Sequence, residues 1–94
     1  MRLSKPEKPV ILKRSDFIAG IRSDISDLRQ FIVNSESEMS TIQDRIMFAK
    51  EQKLRKFRAL EKRELRILKR RVKRAESTIK ELQTLLLFAE NALG

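Results

Sequence analysis

The segment AKEQKLRKF, residues 49–57, joins two apolar series that do not share a phase. On its N-terminal side Ile18, Ile21, Ile25, Leu28, Ile32, Met39, Ile42, Ile46 and Ala49 step by threes and fours, interrupted only at Ser35. On its C-terminal side the same alternation runs through Leu65, Leu68, Val72, Ala75, Ile79, Leu82, Leu86, Ala89 and Leu93. Four-three spacing keeps one stripe of a helix turned toward a partner, which is the seam of a coiled coil. Extended past Ala49, the first series lands on Lys53 and Lys56, poor core residues, whereas the apolar side chains nearby are Leu54 and Phe57. The intervals 46–57, 57–68 and 68–79 are each eleven residues. A period of about 3.67 residues per turn lets one helix change phase by straightening its supercoil. No Gly or Pro lies between Gly20 and Gly94, so the segment carries no strong helix terminator. The spacing therefore predicts uninterrupted helix over about residues 39–92, a rod roughly 80 Å long at ~1.5 Å per residue.

A second helix is expected upstream, over about residues 15–33, with Ser15 or Asp16 as N-cap. Between the two lies NSESEMST, residues 34–41, where Ser35 with Glu38 and Ser40 with Gln43 both fit a capping box. That favours a stop and a restart. Against it, the seam crosses the segment in register and no Gly supplies a C-cap. The first helix is thus either continuous with the long one or folded back on it as an antiparallel hairpin. The broad apolar groups at residues 31–33 and 46–48 exceed what a two-stranded seam needs, and favour folding back or a larger bundle. The expected fold is all-α, a coiled-coil or helical-bundle oligomer. Residues 1–14, with Pro6 and Pro9, read as an extended basic arm, and residues 15–94 as a single helical domain.

Composition narrows the function. The chain of 94 residues has no Trp, Tyr, Cys or His, so no thiolate, imidazole or phenol is available as nucleophile, general base or metal ligand. Its carboxylates are scattered, and we expect neither an enzyme nor a cofactor or metal site. The 22 Lys and Arg outweigh 13 acids to give +9. The excess is concentrated: residues 50–74 hold thirteen Lys/Arg and three Glu. Pairs such as Arg66 with Arg70 and Lys69 with Lys73 place like charges one turn apart, each opposing an isolated helix by a few tenths of a kcal/mol. The block therefore needs an apolar partner for its seam and an anionic one for its charge. Residues 16–49 carry six acids and three Arg. An antiparallel arrangement, within or between chains, would set that segment beside the block and offset about a third of its excess. A parallel in-register dimer would stack the block on itself.

Two functions fit. The first is a non-catalytic helical scaffold or adaptor subunit that assembles through its heptad seams and docks the basic helix on an anionic partner in a larger assembly. Its interface residues are Ile25, Leu28, Ile32, Met39, Ile42, Ile46, Leu65, Leu68, Val72, Ile79, Leu82, Leu86 and Leu93. The alternative is sequence-nonspecific binding of RNA or duplex DNA through Lys62, Arg63, Arg66, Lys69, Arg70, Arg71, Lys73 and Arg74. The block has no Asn to read a base edge, and Phe57 is its only aromatic, so charge and shape would govern recognition. Cations on all sides argue against a helix lying on a membrane surface. No apolar run approaches the ~18 residues of a span, and the N-terminal segment is not a signal peptide. The expected setting is soluble and intracellular, and the run at residues 69–74 resembles a short nuclear-localisation signal.

Overall fold

Two helices of equal length pack side by side. The computed structural model describes residues 14–92, in which α1 spans Arg14–Glu51 and α2 spans Arg55–Ala92. At 38 residues each, both are about 57 Å long. Asp16 lies in the first turn of α1 and Lys50 in its last, each with the sign that the helix dipole favours. Residues 1–13 of the expected arm, and Leu93, lie outside the described residues.

Helix α1 runs without interruption through residues 34–41. Ser35 occupies a seam position and is 3% exposed. The Thr41 hydroxyl donates to the Ser37 carbonyl (3.3 Å) and Gln30 Nε2 donates to Asn34 Oδ1 (3.0 Å). Neighbouring polar side chains thus bond within the helix, and the seam outweighs the capping signals of Ser35 and Ser40.

The break falls elsewhere, and it corrects the expectation of unbroken helix over 39–92. Residues 52–54 form the turn. The Lys53 N–H donates to Lys50 O (3.2 Å) and the Leu54 N–H to Ala49 O (2.8 Å), the paired bonds of a Schellman motif with Lys53 at its left-handed position. Lys53 has φ 59°, a conformation that usually falls to Gly. The Leu54 carbonyl then accepts from the Arg58 N–H (2.9 Å), which starts α2. A side chain in this region costs ~1–2 kcal/mol, offset here by what the turn allows the two helices to bury. Lys53→Gly should therefore raise unfolding stability by about 1 kcal/mol, measured by urea denaturation.

Each helix keeps one heptad phase from end to end. Buried and half-buried positions in α1 are 17, 18, 21, 25, 28, 32, 35, 39, 42, 46 and 49; in α2 they include 58, 61, 65, 68, 72, 75, 79, 82, 86 and 89. No eleven-residue repeat is needed, because the phase change occurs in the turn. Ile21, Ile25 and Ile79 form a core cluster against which Phe17, Leu28, Ile32, Leu82 and Leu86 pack. Twelve of the thirteen expected interface residues, all but Leu93, are buried or half-buried, and the cover comes from the chain's own second helix. Each such residue fully removed from water stabilises by about 1.5–3 kcal/mol.

Near the turn the seam becomes polar. Arg58 and Glu61 take its last two places in α2, and Arg45 Nε donates to Glu61 Oε1 at 2.8 Å. At the open end Arg22 pairs with Glu90. Both bridges join residues of opposite helices, so α2 returns antiparallel to α1. The Arg22 side chain is 63% exposed, and a pair of that kind contributes under about 1 kcal/mol. Such pairs fix register, and the apolar seam provides the stability.

Candidate functional site

Heptad letters locate every outward side chain. With Ile25 and Leu65 as position a, positions e and b lie beside a, and positions g and c lie beside d, because consecutive residues are 100° apart. In an antiparallel pair the a, e and b edges of both helices meet on one face of the hairpin and the d, g and c edges on the other. The side chains agree: Arg22 and Glu90 are both e, whereas Arg45 is g and Glu61 is d.

The e/b face is cationic. Over the two helices its e and b positions carry nine Lys/Arg and three Glu, a net +6. On α2 the e, b and adjoining f positions from 55 to 73 read Arg55, Lys56, Ala59, Lys62, Arg63, Arg66, Lys69, Arg70 and Lys73. This is a stripe of exposed cations about 27 Å long, stepping ~4.5–6 Å along each row. None of them pairs with a carboxylate among the described residues. The charge of the basic block is therefore partitioned: once α1 covers the seam, most of it points one way.

Shallow grooves run along this same face, two of them between the helices and one on α2 alone. One of about 440 Å³ has Met39 and Val72 at its floor and Arg66, Lys69, Arg70 and Lys73 around them. A second of about 410 Å³, nearer the turn, is lined by Arg55, Arg58, Ala59 and Lys62. A third of about 380 Å³, toward the open end, includes Arg22, Arg29, Ile25 and Leu86. Arg58 Nε is buried and has no hydrogen-bond partner among the described residues. The arrangement offers an apolar floor with guanidinium and ammonium donors on its rim, suited to a row of anionic groups.

The eight sequence-predicted cations are all exposed, but they are not one site. Lys62, Arg66, Lys69 and Lys73 lie on the cationic face, Arg63 and Arg70 on the edge of α2, and Arg71 and Arg74 on the opposite face. Conversely, Arg22 and Arg29 of α1 and Arg55 and Arg58 of α2 join the face from outside the predicted set. Their signal was the heptad letter they share with Lys62 and Lys69, or with the seam for Arg58. It becomes usable only once the two helices are known to pack on each other.

Among the described residues, no group of three or more acids is placed to hold a metal ion, and no helix is long and apolar enough to cross a membrane. No protein-family model, curated protein or solved structure matches this chain.

Proposed function

We propose that this chain is a non-catalytic helical adaptor that docks the cationic face of its hairpin on an anionic partner within a larger assembly. We read the hairpin itself as an antiparallel coiled coil closed within one chain. The observation that carries the proposal is the net +6 of the e/b face, whose α2 stripe has no ion-pair partner among the described residues. A stripe that repels itself along a helix is retained at a cost to stability, which an external anion repays on binding.

The stripe's geometry favours a second reading, in which the anion is a nucleic-acid backbone. Eight cations in ~27 Å match the scale of phosphates along a strand, and the phenylalanines that would stack on bases lie on the other face. Binding would follow charge and the shape of a duplex or folded RNA, with no sequence readout. Titration of labelled duplex DNA and structured RNA at about 50 and 200 mM salt tests this reading. It expects affinity to fall steeply at the higher salt, with six contacts corresponding to about a thousandfold. Absence of binding at the lower salt would reject nucleic acid and leave an acidic protein surface as the partner.

A further inference from the structure

All five phenylalanines of the chain lie on the g/c face, opposite the cations: Phe17, Phe31 and Phe57 at g, Phe48 and Phe88 at c. Only Phe17 is drawn into the core cluster. Phe31, Phe48, Phe57 and Phe88 remain exposed, together with Leu60 at c and Leu85 at g, and Phe88 keeps 67% of its surface in water. The exposed apolar residues of the e/b face, Val33, Met47 and Leu87, include no aromatic.

We infer that the phenylalanine face is a self-association surface, on which a second copy of this chain packs antiparallel to give a four-helix bundle with both cationic faces outward. Three observations identify the occupant as a second copy. The g and c positions carry three Arg against five acids, so two copies meet there without the repulsion that the e/b face would impose. The charge is also unevenly placed along the face. Asp24, Asp27 and Glu81 sit toward the open end, Arg71 and Arg74 near mid-length, and Arg45 with Glu38 and Glu64 nearer the turn. A two-fold axis that reverses one hairpin sets the open-end acids against the mixed set that holds Arg45, and Phe48, Phe57 and Leu60 of each copy against the open-end apolar group of the other. A parallel arrangement would stack the three acids on themselves. Finally, a face about 57 Å long and about 18 Å wide offers roughly 1,000 Å², above the ~800 Å² per partner of a standard stable interface. The surface is separate from the anion-binding face, and its failure would leave that proposal standing.

Sedimentation equilibrium of the full chain at about 0.5 M salt, where exposed charges are screened, tests the inference. The expected mass is twice the 11.1 kDa of the chain. Phe57→Glu combined with Phe88→Glu should weaken the dimer about a hundredfold or more while circular dichroism shows unchanged helix. If that pair lost helix, Leu60→Gln with Leu85→Gln would give the same comparison with a milder change. Val33→Gln, Met47→Gln and Leu87→Gln together should leave the mass at two chains. A monomer at about 100 µM would overturn the inference, because an interface of this size should associate well below that concentration. So would a dimer that survives the phenylalanine substitutions, or a larger closed oligomer.

Discussion

Ile42→Asp is expected to unfold the hairpin. Ile42 is 1% exposed in the turn-proximal half of the α1 seam, flanked by Met39 and Ile46 on the same stripe. Removing a buried Ile side chain costs about 2–5 kcal/mol, and enclosing an unpaired carboxylate adds several kcal/mol more. A domain of this size has in all about 5–10 kcal/mol to lose. The helices cannot survive apart, because α2 carries like charges one turn apart and depends on its seam being covered. The expected result is a far-ultraviolet spectrum with most of its helical signal gone at 25 °C. Ser37→Asp, five residues away at an exposed f position, adds the same charge outside the seam and should change stability by no more than about 0.5 kcal/mol. Equal tolerance of both substitutions would mean that the seam is not what holds the chain together.

The second large effect separates binding from folding. Changing Arg66, Lys69, Arg70 and Lys73 together to Gln removes the cations around the groove floored by Met39 and Val72. If the partner is a phosphate backbone, four lost contacts should lower affinity by about a thousandfold or more near 0.1 M salt. They should also reduce the salt slope by up to about 3.6. The loss should be equal on all nucleic-acid sequences, as expected for contacts that position without reading bases. Stability should move the other way. The Arg66–Arg70 and Lys69–Lys73 repulsions disappear, and each contributes a few tenths of a kcal/mol. A variant that binds worse and melts higher is the signature of charge retained for a partner. A variant that binds as well as the parent would assign the binding to other residues.

Much of this architecture is legible in the residues. The 4-3 series identify two helical seams. The six acids and three Arg of residues 16–49, set against the basic block, favour antiparallel packing. The position of the turn is not legible by the usual signs, because Gln52, Lys53 and Leu54 include no Gly, Pro or Asn and the left-handed position falls to a lysine. Conversely, Ser35 and Ser40 look like caps but lie inside α1. Local capping signals are worth about 1 kcal/mol each, and a long seam outweighs them. One true signal was present. The apolar series loses its phase at Lys53, and the next two seam places fall on Arg58 and Glu61. An eleven-residue repeat accommodates that slip on paper, but a turn accommodates it with both helices still in regular heptads and with both seams covered. The candidate site was half legible for the same reason. Thirteen cations in residues 50–74 are visible from composition. Which of them share a face depends on which stripe α1 covers, and that follows from the turn.

The distance between residues 23 and 91 tests the hairpin most directly. The chain has no cysteine, so Ser23→Cys and Asn91→Cys, both at exposed f positions, can carry the only two spin labels. Diluting labelled chains with an excess of unlabelled protein confines the pulsed dipolar signal to pairs within one molecule. Packing of the helices about 10 Å apart predicts a narrow distribution near ~25 Å between the outer edges of α1 and α2. An unbroken helix would hold the labels roughly 100 Å apart, and loss of the short distance would contradict the hairpin together with the separation of its two faces.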